Sequence, residues 1–259
     1  MTAEARPSHT EATGRHFRYD DLVMVGFVTV LLCSNLIGPG KSCAVDIGVN
    51  IVPDWKGGGL AFASTLAFGA GNIFFPISYI FGDVLTEVYG YARARKVIWA
   101  GFGAMIFATI MSFVVLRLPP DPDEPFNRTI VPALDVVFGN TWRIVVASIA
   151  AFWVGDFVNS YVLAKMKVWT RGRMLWTRTI GSTVCGQGVD SLMFYPIAFY
   201  GIWDNSTLVK VSVFNWLFKV MVEAVMTPVT YALCARLKKA EKVDHFDHAT
   251  DFTPFSLKD

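Results

Sequence analysis

Six stretches of this 259-residue sequence are apolar over roughly the twenty residues that a helix needs to cross a bilayer, and no other feature narrows the fold as much. Leu22 to Gly40, Gly57 to Gly82 and Val97 to Leu116 carry no charge, so each can span alone. Ile144 to Ala164, Thr179 to Trp203 and Val211 to Leu233 are also long enough, but Asp156, Asp190, and Lys219 with Glu223 interrupt them. Only 17% of residues are charged and the mean hydropathy is +0.43, where an average soluble domain carries about a quarter charged residues. The pattern predicts an all-α membrane protein with six transmembrane helices and excludes an ordinary cytosolic enzyme.

The net charge of +2 says nothing about partners, but the placement of the basic residues sets orientation. With the N-terminus inside, 16 of the 23 Lys and Arg residues fall in cytoplasmic segments and 6 outside, and Lys219 lies within the last span. Both termini are therefore expected in the cytoplasm. Residues 1–20 form a polar N-terminal tail with no apolar core of a cleaved signal peptide, 21–238 the six-helix membrane domain, and 239–259 a polar C-terminal tail expected to be disordered. On the outside, the alternation of Val45, Ile47, Val49 and Ile51 suggests a short extended segment before a Gly57-Gly58-Gly59 hinge. The Pro-rich, acidic stretch between Leu118 and Arg143 reads as a structured loop, with Ile130 to Phe138 as a short helix at the interface.

The polar groups inside the spans carry the functional signal. A single Asp, Lys or Arg at a helix centre costs about 2.5 to 3.5 kcal/mol on translocon-type scales, so these side chains must face one another or a watery cavity. At 1.5 Å per residue, Asp156, Asp190 and Glu223 each fall roughly 17 to 18 Å into their spans, near the midplane. Each has a polar companion on the same helix face: Asp156 with Asn159, Gln187 with Asp190, and Lys219 with Glu223. Asp83 with Glu87 adds a stripe at the cytoplasmic end of the second span, and Asn35 with Ser34 another near the outer end of the first. Such convergence suits a hydrogen-bonding solute. Against this stand plainer roles: Lys219 and Glu223 as a buried ion pair, Asp83 and Glu87 solvated at the surface beside Arg93 or Arg95, and Asn35 with Ser34 bonding across helices.

His9, His16, His245 and His248 all lie in the tails, which leaves no imidazole in the membrane for a serine protease or a zinc site. Cys33, Cys43, Cys185 and Cys234 show no metal or disulfide spacing. No Walker A motif occurs, and neither metal nor other cofactor is expected. Aromatic clusters at Phe74, Phe75, Tyr79 and Phe81 and at Phe194, Tyr195, Phe199 and Tyr200 fit membrane packing, and equally a stacked flat heterocycle. FFPISYIFG at Phe74 to Gly82 and FYPIAFYG at Phe194 to Gly201 share a Phe-aromatic-Pro-Ile pattern that would suit two inverted three-helix halves.

FPISYIFGDVLTEVYGYARARKVIW from Phe75, FGNTWRIVVAS from Phe138, LWTRTIGSTVCGQGVDSLMFYPIAFYG from Leu175 and NWLFKVMVEAVMTPVTY from Asn215 closely resemble the queuosine precursor transporter family, also called the vitamin uptake transporters. The resemblance runs from about Asn35 to Leu237. It implies a multi-pass bacterial inner-membrane importer, not an enzyme, for 7-deazaguanine bases such as 7-cyano-7-deazaguanine and its aminomethyl form, purine-like precursors for tRNA modification. It also implies Asp83, Glu87, Gln187, Asp190, Lys219 and Glu223 as substrate-binding candidates; Asn35, Asp156 and Asn159 join them from the polar stripes. The expected partners are that small molecule and the lipid bilayer, with no nucleic acid, while a homodimer or an energising partner stays open. Two other classes remain: a substrate-binding subunit of an energy-coupling-factor transporter, and an intramembrane aspartyl enzyme using Asp156 and Asp190.

Overall fold

The structure is a computed structural model that describes residues 17–36, 42–46, 48, 52–54, 61–63, 65–69, 74–138, 142–202 and 204–256. Helices dominate it: α1 (Asp20–Leu36), α2 (Phe75–Val84), α3 (Tyr91–Arg117), α4 (Asn127–Phe138), α5 (Trp142–Trp169), α6 (Leu175–Phe199) and α7 (Asn205–Glu241). Three of them are long and apolar enough to cross a membrane, over Tyr91–Arg117, Val146–Trp169 and Val211–Glu241. α6 has the length, with 25 residues, but is rich in Gly, Ser and Thr; α1 has 17.

The second apolar block departs from the expected span. Strands β1 (Ser42–Asp46) and β4 (Thr65–Gly69) pair antiparallel, with Val45 opposite Leu66, and β2 (Val52–Asp54) pairs with β3 (Ala61–Ala63) nested between them. Helix begins only at Phe75, with a proline in its first turn. The glycines and the Ser64-Thr65 pair explain this: each Gly costs a helix about 1 kcal/mol relative to Ala, and the extended register supplies the backbone bonds instead. The Gly57–Gly59 hinge, and residues 1–16 of the N-terminal tail, lie outside the described residues. The short interfacial helix is present as α4.

Below α2 the chain makes one π-helical turn, Leu85–Tyr89, and reverses at Gly90, whose φ of 88° only glycine takes without strain. The Phe-aromatic-Pro-Ile pattern opens α2 but closes α6, where Pro196 lies in the last turn, so the two copies hold opposite places in their helices and give no support to inverted halves. α5 and α6 pack as an antiparallel hairpin whose backbones nearly touch at Gly155 and Gly186. A Cβ on Gly186 would stand 2.8 Å from the Gly155 carbonyl oxygen, so small residues set this approach.

Burial is inverted relative to a soluble protein. Phe107 of α3 and Val225 and Val229 of α7 are exposed, while Asp83, Glu87, Arg95, Lys167, Arg178 and Glu223 are fully buried. Only a lipid-facing exterior makes that distribution favourable.

The C-terminal tail is ordered through Ser256, contrary to the expectation of disorder. It runs back along α3 and α5. The Asp247 carboxylate accepts the Tyr91 N–H at 3.1 Å and so caps α3; Arg95 donates to the carbonyls of Asp251 and Thr253, and Trp99 to that of Pro254. Phe252 packs between Tyr91 and Tyr161, and Lys165 lies over its ring. A polar segment with few apolar residues is thus held by donors borne on the helices it runs along.

Candidate functional site

Tyr79, Asp83 and Glu87 recur at intervals of four down α2 and the π turn, about 6 Å apart, and each anchors one level of a polar column through the bundle.

At the lowest level Glu87 is fully buried among three cations. Its Oε1 accepts from Arg178 at 2.8 Å and Lys238 at 2.6 Å, with Lys167 at 3.5 Å. Lys167 also donates to the Glu87 carbonyl oxygen and to Asp244, which in turn bonds Lys238 at 2.9 Å. Arg178 closes the turn between α5 and α6 by donating to the Arg173 carbonyl and Thr170 hydroxyl. Burial would raise the Asp244 carboxyl, but hydrogen bonds from Lys167 and Lys238 outweigh it and hold the group below the usual carboxylate range. The same balance, with His245, Thr250 and the Tyr91 N–H as partners, lowers Asp247. Asp83 and Glu87 are therefore not surface groups beside Arg93 and Arg95: Arg93 pairs with Asp20, and Arg95 serves the tail.

One level up, Asn159 donates to Asp83 Oδ1 at 3.4 Å, and the Asp83 and Glu223 carboxyl groups face each other within hydrogen-bonding reach. Asp83 Oδ2 and both Glu223 oxygens meet no donor. The plainer alternative, a Lys219–Glu223 ion pair, does not occur among the described residues, because Lys219 turns across to Asp190 of α6.

At the Tyr79 level, Lys219 Nζ pairs with Asp190 Oδ2 at 2.5 Å and the Tyr79 hydroxyl donates to Gln187 Oε1 at 3.3 Å. Asp156 brings a buried Oδ2 that no donor reaches. A cavity of about 10 Å³, room for one water-sized molecule, is lined by Tyr79, Gly82, Asp156, Asn159 and Ser160. Above it, between α1, α3, α4 and α5, opens a cavity of about 860 Å³ lined by Leu32, Asn35, Thr109, Arg117, Asp135 and Phe194 among others. Asn35 lies there and bonds across helices, accepting from Ser148 at 3.1 Å.

The nine candidate residues thus divide. Asp156, Gln187, Asp190 and Lys219 come together at one level; Asp83, Asn159 and Glu223 form the next; Glu87 belongs to the ion cluster, and Asn35 stands apart in the larger cavity. Lys167, Arg178, Lys238 and Asp244 read from sequence only as loop charges or tail; the four-residue spacing from Asp83 to Glu87 is the signal that Glu87 turns inward with it. Tyr79 reads from sequence only as an aromatic. The Tyr79 level mixes acceptors with the Lys219 ammonium and the Gln187 amide, which matches a flat solute that both donates and accepts. No group of three or more His, Cys, Asp or Glu among the described residues is placed to hold a metal.

Residues 69–233 match the family described as "Putative vitamin uptake transporter". The chain is 32% identical over 163 residues to a "Probable queuosine precursor transporter" of Bacillus subtilis, covering 62% of this chain and 69% of the relative. It is 26% identical to proteins of similar name from Haemophilus influenzae, over 63% of this chain and 66% of the relative, and from Escherichia coli, over 60% and 67%. The matched stretch spans about two thirds of each relative's length. No solved structure matches.

Proposed function

The chain belongs to the vitamin uptake transporter family, a family of transporters rather than enzymes, and from that premise we propose that it imports queuosine precursors across the bacterial inner membrane. The observation that carries the reading is the polar level at Tyr79, enclosed between an open cavity of about 860 Å³ and a sealed ion cluster. With both termini cytoplasmic, the ion cluster is the inner gate and the large cavity the outer vestibule. α1, α3, α5, α6 and α7 then make five crossings, and α2 with the π turn makes the sixth, a short helix that follows non-helical backbone, as substrate-binding helices of transporters do.

A 7-deazaguanine base is planar, with amine and ring N–H donors on one edge and a carbonyl beside them. Asp156 and Asp190 accept from the donors, Lys219 and the Gln187 amide donate to the carbonyl, and the Tyr79 ring covers a face. Neither the 7-cyano nor the 7-aminomethyl form fits in about 10 Å³, so loading requires α2 and α5 to separate at the vestibule side. Alternating access then consists of opening this level to the vestibule, closing it, and parting the ion cluster below.

The test is uptake of radiolabelled 7-cyano-7-deazaguanine and its aminomethyl analogue into vesicles holding this protein alone. Uptake of either supports the reading. Binding without flux overturns self-sufficient transport and points to a subunit that needs an energising partner.

A further inference from the structure

We propose that Asp83 and Glu223 hold one proton between them and that this proton is the coupling ion of transport. The inference rests on the importer reading above and adds what drives it. Both carboxyls are wholly buried and face each other, yet three of their four oxygens meet no donor and no cation reaches either group among the described residues. Two carboxylates cannot stand in contact in that setting; a carboxylic acid donating its O–H to a carboxylate can.

The surroundings isolate the pair. From α5 comes the Asn159 amide, which bonds Asp83. From the π turn comes Glu87, whose charge is already committed to Lys167, Arg178 and Lys238. α6 and α7 contribute Asp190 and Lys219 one level up, paired with each other, and α7 adds the buried Cys234 thiol. Phe27 of α1 and Ala94 and Ile98 of α3 bring only apolar side chains to the adjoining cavity. That cavity joins Asp156 Oδ2 to Asn159 Oδ1, both buried without a donor, and so links the base-binding level to the pair.

The coupling follows from charge. With one proton the pair carries a single negative charge and its carboxyls hydrogen-bond, which holds α2 against α7. Without it, two like charges repel and the helices part. The base-loaded form closes on a protonated pair, whose proton enters from the vestibule by way of Asp156 and leaves to the cytoplasm when the lower level opens; the emptied carrier returns with the pair deprotonated and α2 and α7 parted, so each cycle moves one proton inward with the base.

The experiment reconstitutes the full chain in vesicles and compares counterflow of labelled against unlabelled base with net accumulation under an outside-acid gradient. Expected is accumulation that depends on the gradient in the unaltered protein, and in Glu223→Gln and Asp83→Asn the retention of counterflow with loss of gradient dependence. Counterflow in the unaltered protein with accumulation indifferent to the gradient overturns the proton site and leaves the transporter standing. No counterflow of either base removes the transporter reading, and the site is then judged by infrared difference spectroscopy of the purified chain. A carboxylic-acid carbonyl band that titrates in the unaltered protein and vanishes in either variant supports the shared proton; its absence overturns it. The titration of the unaltered protein decides alone where a variant does not fold.

Discussion

The ion cluster at Glu87 and the polar level at Asp156 use the same residue types, less than one helix length apart, to opposite effect. Around Glu87 one carboxylate meets three cations, and Asp244 ties two of them again. Around Asp156 one ion pair, Lys219 with Asp190, leaves the third charge-bearing group with an oxygen that no donor reaches. The difference is one of charge rather than of hydrogen bonds, since Glu87 Oε2 and Arg178 Nε also meet no partner: a carboxylate neutralised by three cations fixes a conformation, whereas a buried carboxyl that no cation or donor meets is costly unless something else completes it. We propose that the cluster is a closure device and the Asp156 level a receptor, a contrast that can be broken at four points.

The largest effect should come from Glu87→Gln, which leaves Lys167 and Arg178 buried without their shared carboxylate. Breaking a buried pair costs about 3–5 kcal/mol, so membrane yield and thermal midpoint should both fall sharply. A variant as stable as the parent would erase the distinction between the two regions. Next, Asp190→Asn should insert and fold but lose uptake, because Lys219 loses its partner and the substrate an acceptor. A hydrogen bond to a charged group contributes about 1.5–3 kcal/mol, roughly ten- to a hundredfold in apparent affinity.

Asp156→Asn should lower substrate affinity by about tenfold, some 1.4 kcal/mol, and leave the melting temperature equal or higher, since the lost oxygen had no donor to lose. If protein level falls instead, Asp156 is structural and the receptor assignment moves to Asp190 alone. Smallest is the tail: Asp247→Ala removes the cap on α3, worth about 0.5–2 kcal/mol, and should expose residues 243–256 to protease while uptake persists. Docking also depends on pH. Asp244 and Asp247 are held below the ordinary carboxylate value, so their contribution is complete above about pH 4 and fades as pH falls through the depressed values. Protection of the tail amides relative to their intrinsic exchange rate at each pH, followed from neutral to acid, should fall only at the acid end.

Much of the bundle was legible. Five of six apolar blocks became helices, and Asp156 and Asp190 meet at one level as depth along a helix implies, but Glu223, expected at the same depth, lies one level down beside Asp83. The block from Gly57 to Gly82 misled, since hydropathy counts apolar residues and does not weigh the backbone cost of glycine. The pairing of Lys219 also escaped: an i, i+4 neighbour such as Glu223 is visible in one helix, but Asp190 lies on another. The tail misled for a related reason, because its partners Tyr91, Arg95 and Trp99 lie some 155 residues earlier in the chain.

The sequence alone determined that this chain belongs in a membrane, that charged side chains interrupt its apolar spans, and which family it joins, for these depend on composition, spacing and local motif. Tertiary structure alone decided which charge meets which. Glu87 could have met water or Arg93 and meets Arg178; Lys219 could have met Glu223 and meets Asp190. The energy of a buried charge depends on the few ångströms between it and groups distant in sequence, and only packing, here the close contact of α5 and α6 at Gly155 and Gly186, sets those ångströms.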